Sequence, residues 1–175
     1  MWFLVEGLQI SREFVLAGGP VLISIAFLTW FMWLLLLERI WFLNITFPRL
    51  VKQAMAEWNQ RSDYSSWYAH QIRHSTIAGL GAQARFSIPI IKTTVALCPM
   101  LGLLGTVTGA IEVFDAMAVF GSGNTRSMAA GVSKATIPTM AGMVSALSGL
   151  ITITLVSRKA ERETERLALN LKIEN

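Results

Sequence analysis

The sequence predicts an all-α membrane protein with three transmembrane helices, the second and third long and running on beyond the bilayer. Three observations predict it. Of 175 residues, 53% are hydrophobic and only 15% charged, and the mean hydropathy is +0.51, more apolar surface than one small soluble core can bury. Three runs, 14–37, 93–111 and 135–157, carry no Asp, Glu, Lys or Arg, and about 20 such residues cross the hydrocarbon. Charged stretches with helical spacing separate and follow them.

Each element follows in order. Residues 1–13 mix Trp2, Phe3, Leu4, Val5, Leu8 and Ile10 with Glu6, Gln9, Arg12 and Glu13, the pattern of an amphipathic helix at the membrane interface. Glu6 in place of a basic start argues against a secretory signal. The first span is expected over 14–43, with Gly18, Gly19 and Pro20 bending or starting the helix. Residues 44–87 carry Arg49, Lys52, Glu57, Arg61, Asp63, Arg73 and Arg85, and read as a water-exposed helical segment too short for a catalytic core. The second span occupies 88–117. Residues 118–128, centred on the Gly, Ser and Asn of 121–124, reverse the chain. The third span occupies 129–157, and 158–175 continue it as a charged helical tail.

Orientation follows from where the cations lie. All 15 Lys and Arg residues except Arg12, Arg126 and Lys134 fall in 38–92 or 158–172. By the positive-inside rule those two stretches are cytoplasmic, which leaves the N-terminus and the 118–128 turn outside.

The second and third spans are too rich in Gly, Ser and Thr for helices chosen only to face lipid. Gly102, Gly105, Gly109 and Gly142 are small residues of the kind that let membrane helices pack closely. Folding the hairpin about residues 122 and 123 puts Thr106 and Thr139 at one depth and sets Glu112 beside Lys134. An ionisable residue inside a span costs about 2.5–3.5 kcal/mol on insertion scales and normally faces protein or water. Glu112 is placed to offset Lys134; snorkelling of Lys134 to the interface is the competing reading. For the threonines, the competing reading is a hydroxyl bonded to its own helix's carbonyl.

Several functions are excluded or weakened. The +4 net charge is spread along the chain and gives no reason to expect nucleic acid. His70 and His74 have metal-ligand spacing, but neither a glutamate between them nor a third ligand completes a site. Cys98 is the single cysteine. With no phosphate-binding loop, dinucleotide fingerprint or nucleophile with a base, neither an enzyme, a catalytic residue nor a cofactor is expected.

The run PMLGLLGTVTG at 99–109, with GVSKATIPTMAGM at 131–143, resembles the paired signature of the ExbB/TolQ/MotA proton-channel family, closest to ExbB. Glu38 and Arg39, closing the first span, resemble it too, as does the order of one span, a cytoplasmic segment and two long spans. The resemblance covers roughly residues 20–160. It implies a homopentamer in the bacterial inner membrane whose second and third helices line a central pore. That pore would hold an ExbD-like single-span proton carrier, with movement passed to a TonB-like protein and on to outer-membrane transporters. Thr106 and Thr139 match the family's threonines and are the expected ring of hydroxyls facing the partner's aspartate; Lys134 and Glu112 join them as pathway candidates. At Lys134 the ExbB and TolQ pattern has a glutamate, so an acidic relay is not carried over. TolQ-type or MotA-type stator subunits, and a passive membrane scaffold, are the alternative readings.

Overall fold

The computed structural model describes the backbone of residues 2–60, 66–120 and 125–170 and the side chains of 18–60, 66–119 and 128–170. The expected turn around 121–124, the side chains of the 1–13 helix and the end of the tail lie outside them. Helix α1 spans Trp2–Trp41 and a π-helical turn follows at Phe42–Thr46. Then come α2 at Phe47–Asn59, α3 at Trp67–Arg85, α4 at Ile88–Phe120 and α5 at Thr125–Asn170. Among the described residues, three helical stretches are long and apolar enough to cross a membrane: Gly18–Asn59, Trp67–Val119 and Met128–Asn170. The chain is an all-helical, multi-pass membrane protein.

Local chemistry sets the breaks. Gly19 adopts φ 66 and ψ −166 inside α1, a backbone region open essentially to glycine alone. Pro20 follows at the start of the resumed helix, where its missing N–H costs nothing. At the other end, the Phe47 N–H donates to Phe42 O, five residues back, just before Pro48. A proline inside a helix removes a donor and presses on the preceding turn, and the widened turn accommodates it. Ser66 caps α3, its Oγ accepting from the Ala69 N–H at 3.4 Å. Helix α5 has 46 residues, roughly 69 Å at 1.5 Å per residue, more than twice a hydrocarbon thickness of about 30 Å.

Two compact units divide the chain. The first takes Met1–Trp33 and Thr93–Leu150. Its α4 buries Val95, Cys98, Gly102, Gly105 and Gly109, and α5 buries Pro138, Gly142 and Gly149, both at helical spacing. The second takes Leu34–Lys92 and Ile151–Asn175. There Trp58, Ala69 and Leu167 form a small core with Val51, Ile72, Ile77 and Leu80 against it. Arg73 Nη2 donates to Ala168 O at 2.7 Å, satisfying a carbonyl near the end of α5.

Candidate functional site: the α4–α5 seam

Small residues bring the α4 and α5 backbones together. A Cβ added at Gly142 would lie 2.6 Å from Cys98 O, one at Gly109 2.5 Å from Ala135 Cα, and one at Gly102 3.1 Å from Thr139 Cα. At Gly105 an added Cβ would overlap Pro138. At Gly105, Gly109 and Gly142 the next larger residue therefore collides with the opposite helix, and at Gly102 it makes a tight contact that Thr139 would have to yield to by a few tenths of an ångström.

The seam carries the hydroxyls. Thr139 Oγ1 reaches across it and donates to Gly102 O at 3.0 Å. Thr106 Oγ1 instead donates within its own helix, to Leu103 O at 2.6 Å, and Thr108 Oγ1 does the same to Gly105 O at 3.0 Å. Thr106 and Thr139 are each half-buried. Their hydroxyls bond carbonyls one residue apart on α4, about 1.5 Å along the helix axis. The register follows from where the glycines permit close approach, with Gly105 against Pro138 and Gly109 against Ala135.

Lys134 and Glu112 do meet. Lys134 Nζ lies 2.7 Å from Glu112 Oε2 and donates to Oε1 at 2.9 Å. The lysine stem also runs along α1, with Cε 3.2 Å from where a Gly19 Cβ would stand. The break in α1 thus has a second use, since a side chain at Gly19 would crowd the lysine. Five positions separate Lys134 from Thr139 and six separate Thr106 from Glu112, so about 140° and 120° of helix surface lie between them. The ion pair faces α1, and the two threonines face the other side of the seam. Residue spacing separates the two faces; which of them α1 covers comes from the contact of Lys134 with Gly19.

Chemically, the threonine face can both donate and accept. Each hydroxyl has one donor, now given to a carbonyl, and acceptor capacity to spare. His70 and His74 are exposed on α3. One further charged residue stands out in the second unit: Arg39 is only 3% exposed, although the end of an apolar run read simply as the span's boundary.

Comparison with known proteins bears on this seam directly. The chain is 38% identical over 85 residues to a Synechocystis sp. protein named as a biopolymer transport protein, ExbB-like 1. The match covers 46% of this chain and 34% of that protein, so the chain spans about a third of the relative's length. The profile of the MotA/TolQ/ExbB proton channel family matches residues 45–168, most of the chain and the whole of α4. With three spans, the paired motifs on α4 and α5, and this match, the chain belongs to the MotA/TolQ/ExbB proton channel family.

Proposed function

We propose that this chain is the housing subunit of an inner-membrane proton channel of the ExbB type, coupling the proton motive force through an ExbD-like single-span partner and a TonB-like protein to outer-membrane transport. Five copies surround a pore lined by α4 and α5, with the N-terminus periplasmic and the C-terminal tail cytoplasmic. The supporting observation is the pair of half-buried hydroxyls, Thr106 and Thr139, on the face of the seam away from α1.

A proton crossing the potential releases about 2.3 kcal/mol per 100 mV, but its carrier must survive in hydrocarbon in both protonation states. A threonine hydroxyl donates to a carboxylate and accepts from a carboxylic acid. Residues 93–111 and 135–157 contain no Asp or Glu, so the carrier's carboxyl comes from another chain. Lys134 and Glu112 neutralise one another against α1 and hold the outer end of the seam, beside the pathway. TolQ-type and MotA-type stators share this chemistry.

A passive scaffold is favoured by one observation: both hydroxyls already bond backbone carbonyls. Proton flux separates the two readings. In proteoliposomes containing this chain with the one-span, Asp-bearing protein that co-purifies from native membranes, Thr106→Ala and Thr139→Ala should lower flux while assembly persists. Unchanged flux in both variants, or no such co-purifying protein, establishes the scaffold.

A further inference from the structure

In the second unit a groove of about 570 Å³ is lined by Leu34, Leu35, Glu38, Arg39 and Phe42 of α1 and the π-helical turn, and by Ala82, Gln83, Phe86 and Ser87 of and just after α3. That volume falls within the roughly 300–1,000 Å³ typical of small-molecule sites. Its polarity is graded along the membrane normal: Leu34 and Leu35 lie one turn deeper in the apolar run than Glu38 and Arg39, which end it. Trp41, largely exposed just beyond, marks the interfacial level where tryptophan concentrates.

Arg39 is the unusual member. Its guanidinium stacks 4.6 Å from the Phe42 ring centroid, and Nη2 donates to Gln83 O. Nε is buried with no hydrogen-bond partner among the described residues. Glu38 attracts the Arg39 charge through space, yet among the described residues the direct contacts of the guanidinium are the Phe42 ring and the Gln83 carbonyl, with no carboxylate at salt-bridge distance. A buried cation and an unsatisfied donor are both costly unless an acceptor, preferably an anion, arrives. Glu38, on the same groove, is exposed and opposes a wholly anionic guest while suiting one that also carries a cation.

We propose that this groove holds a zwitterionic phospholipid of the phosphatidylethanolamine class, its phosphate at Arg39, its ammonium at Glu38 and one acyl chain along Leu34 and Leu35. The phosphate supplies the acceptor that Nε lacks, and arginine's planar fork suits phosphate oxygens. The ammonium offsets Glu38, which would otherwise repel the phosphate. The order of contacts matches a lipid in the leaflet, head at the interface and tail toward the core.

Titration of the delipidated full-length chain in detergent with palmitoyl-oleoyl phosphatidylethanolamine, the matching phosphatidylglycerol or inorganic phosphate, read by native mass spectrometry and by thermal unfolding, tests the assignment. Phosphatidylethanolamine should bind and raise the midpoint. Arg39→Gln should weaken it by about tenfold, as expected for loss of one charge-assisted hydrogen bond. Glu38→Gln should abolish the preference over phosphatidylglycerol. Ala82→Phe, which fills the groove and leaves Arg39 in place, should also remove binding, and it decides the matter should Arg39→Gln fail to fold. Equal or tighter binding of phosphatidylglycerol to the wild type, equal protection by inorganic phosphate, or unchanged lipid binding in Ala82→Phe overturns the proposal.

Discussion

Thr139 and Lys134 show how much one side chain's partner decides. Thr139 Oγ1 bonds across the seam, so Thr139→Val should cost stability as well as flux, about 0.5–1.5 kcal/mol for one hydrogen bond, and Thr139→Ser should restore both. Thr106 bonds its own helix, so Thr106→Val should leave the unfolding midpoint nearly unchanged and lower flux alone. Thermal unfolding alongside proteoliposome flux checks the contrast, and equal destabilisation by both valines would contradict it. The Lys134–Glu112 pair has side chains 36% and 49% exposed, so solvent or headgroup screening limits its worth to about 0.2–1 kcal/mol. Charge reversal at either position alone leaves like charges facing one another beside α1. The double swap, Glu112→Lys with Lys134→Glu, should therefore recover assembly that each single reversal loses, as read by size-exclusion chromatography. The pairing of Lys134 with Glu112 was legible from the fold-back of the hairpin, because long side chains tolerate an error in register. The carbonyl each threonine bonds was not legible, because the choice between its own helix, as for Thr106, and the facing one, as for Thr139, depends on how closely the glycines let the two backbones approach.

At the scale of an element, glycine divides into positions where space is absent and positions where only propensity matters. An alanine methyl at Gly142 would stand 2.6 Å from the Cys98 carbonyl oxygen, a backbone atom that cannot swing aside. Gly142→Ala should therefore push α4 and α5 apart and cost about 1–3 kcal/mol, as overpacking does. Gly79, in α3, has nothing within 4 Å of an added methyl, and Gly79→Ala should stabilise by about 0.8–1 kcal/mol through helix propensity. Thermal unfolding of the two variants reads opposite signs from one chemical change. Gly102, Gly105 and Gly109 announced themselves by their spacing in an apolar run, and the α5 continuation past residue 157 by charges at helical spacing. The π-helical turn at Phe42–Thr46 did not: Pro48 signals trouble for the preceding turn without saying whether the helix breaks, kinks or widens. The burial of Arg39 was equally hidden, since it depends on α3 returning to place Gln83 O against the guanidinium.

At the scale of the whole molecule, the outward apolar surface bears on assembly. Leu103, Val107 and Ile111 on α4, with Met140, Val144, Leu147 and Ile151 on α5, remain exposed in the single chain. Lipid or further protein must cover them, because hydrocarbon in contact with water is costly. Lipid tails satisfy these side chains as well as protein does, so apolar exposure fixes the membrane and leaves the number of copies to packing. The proposed direction rests on the cations: with all but three of the 15 Lys and Arg in 38–92 and 158–172, the positive-inside rule expects both stretches on the cytoplasmic side. Cys98 is buried, and replacing it by alanine gives a background without thiols for mapping. On that background Ser122→Cys should react with a membrane-impermeant maleimide in intact spheroplasts, and Arg162→Cys only after the membrane is opened. The reverse pattern would turn the channel over, placing the long charged end of α5 on the side from which protons enter. Labelling of both cysteines in intact spheroplasts would remove the third span, and the α4–α5 seam would then lose its place as a transmembrane path.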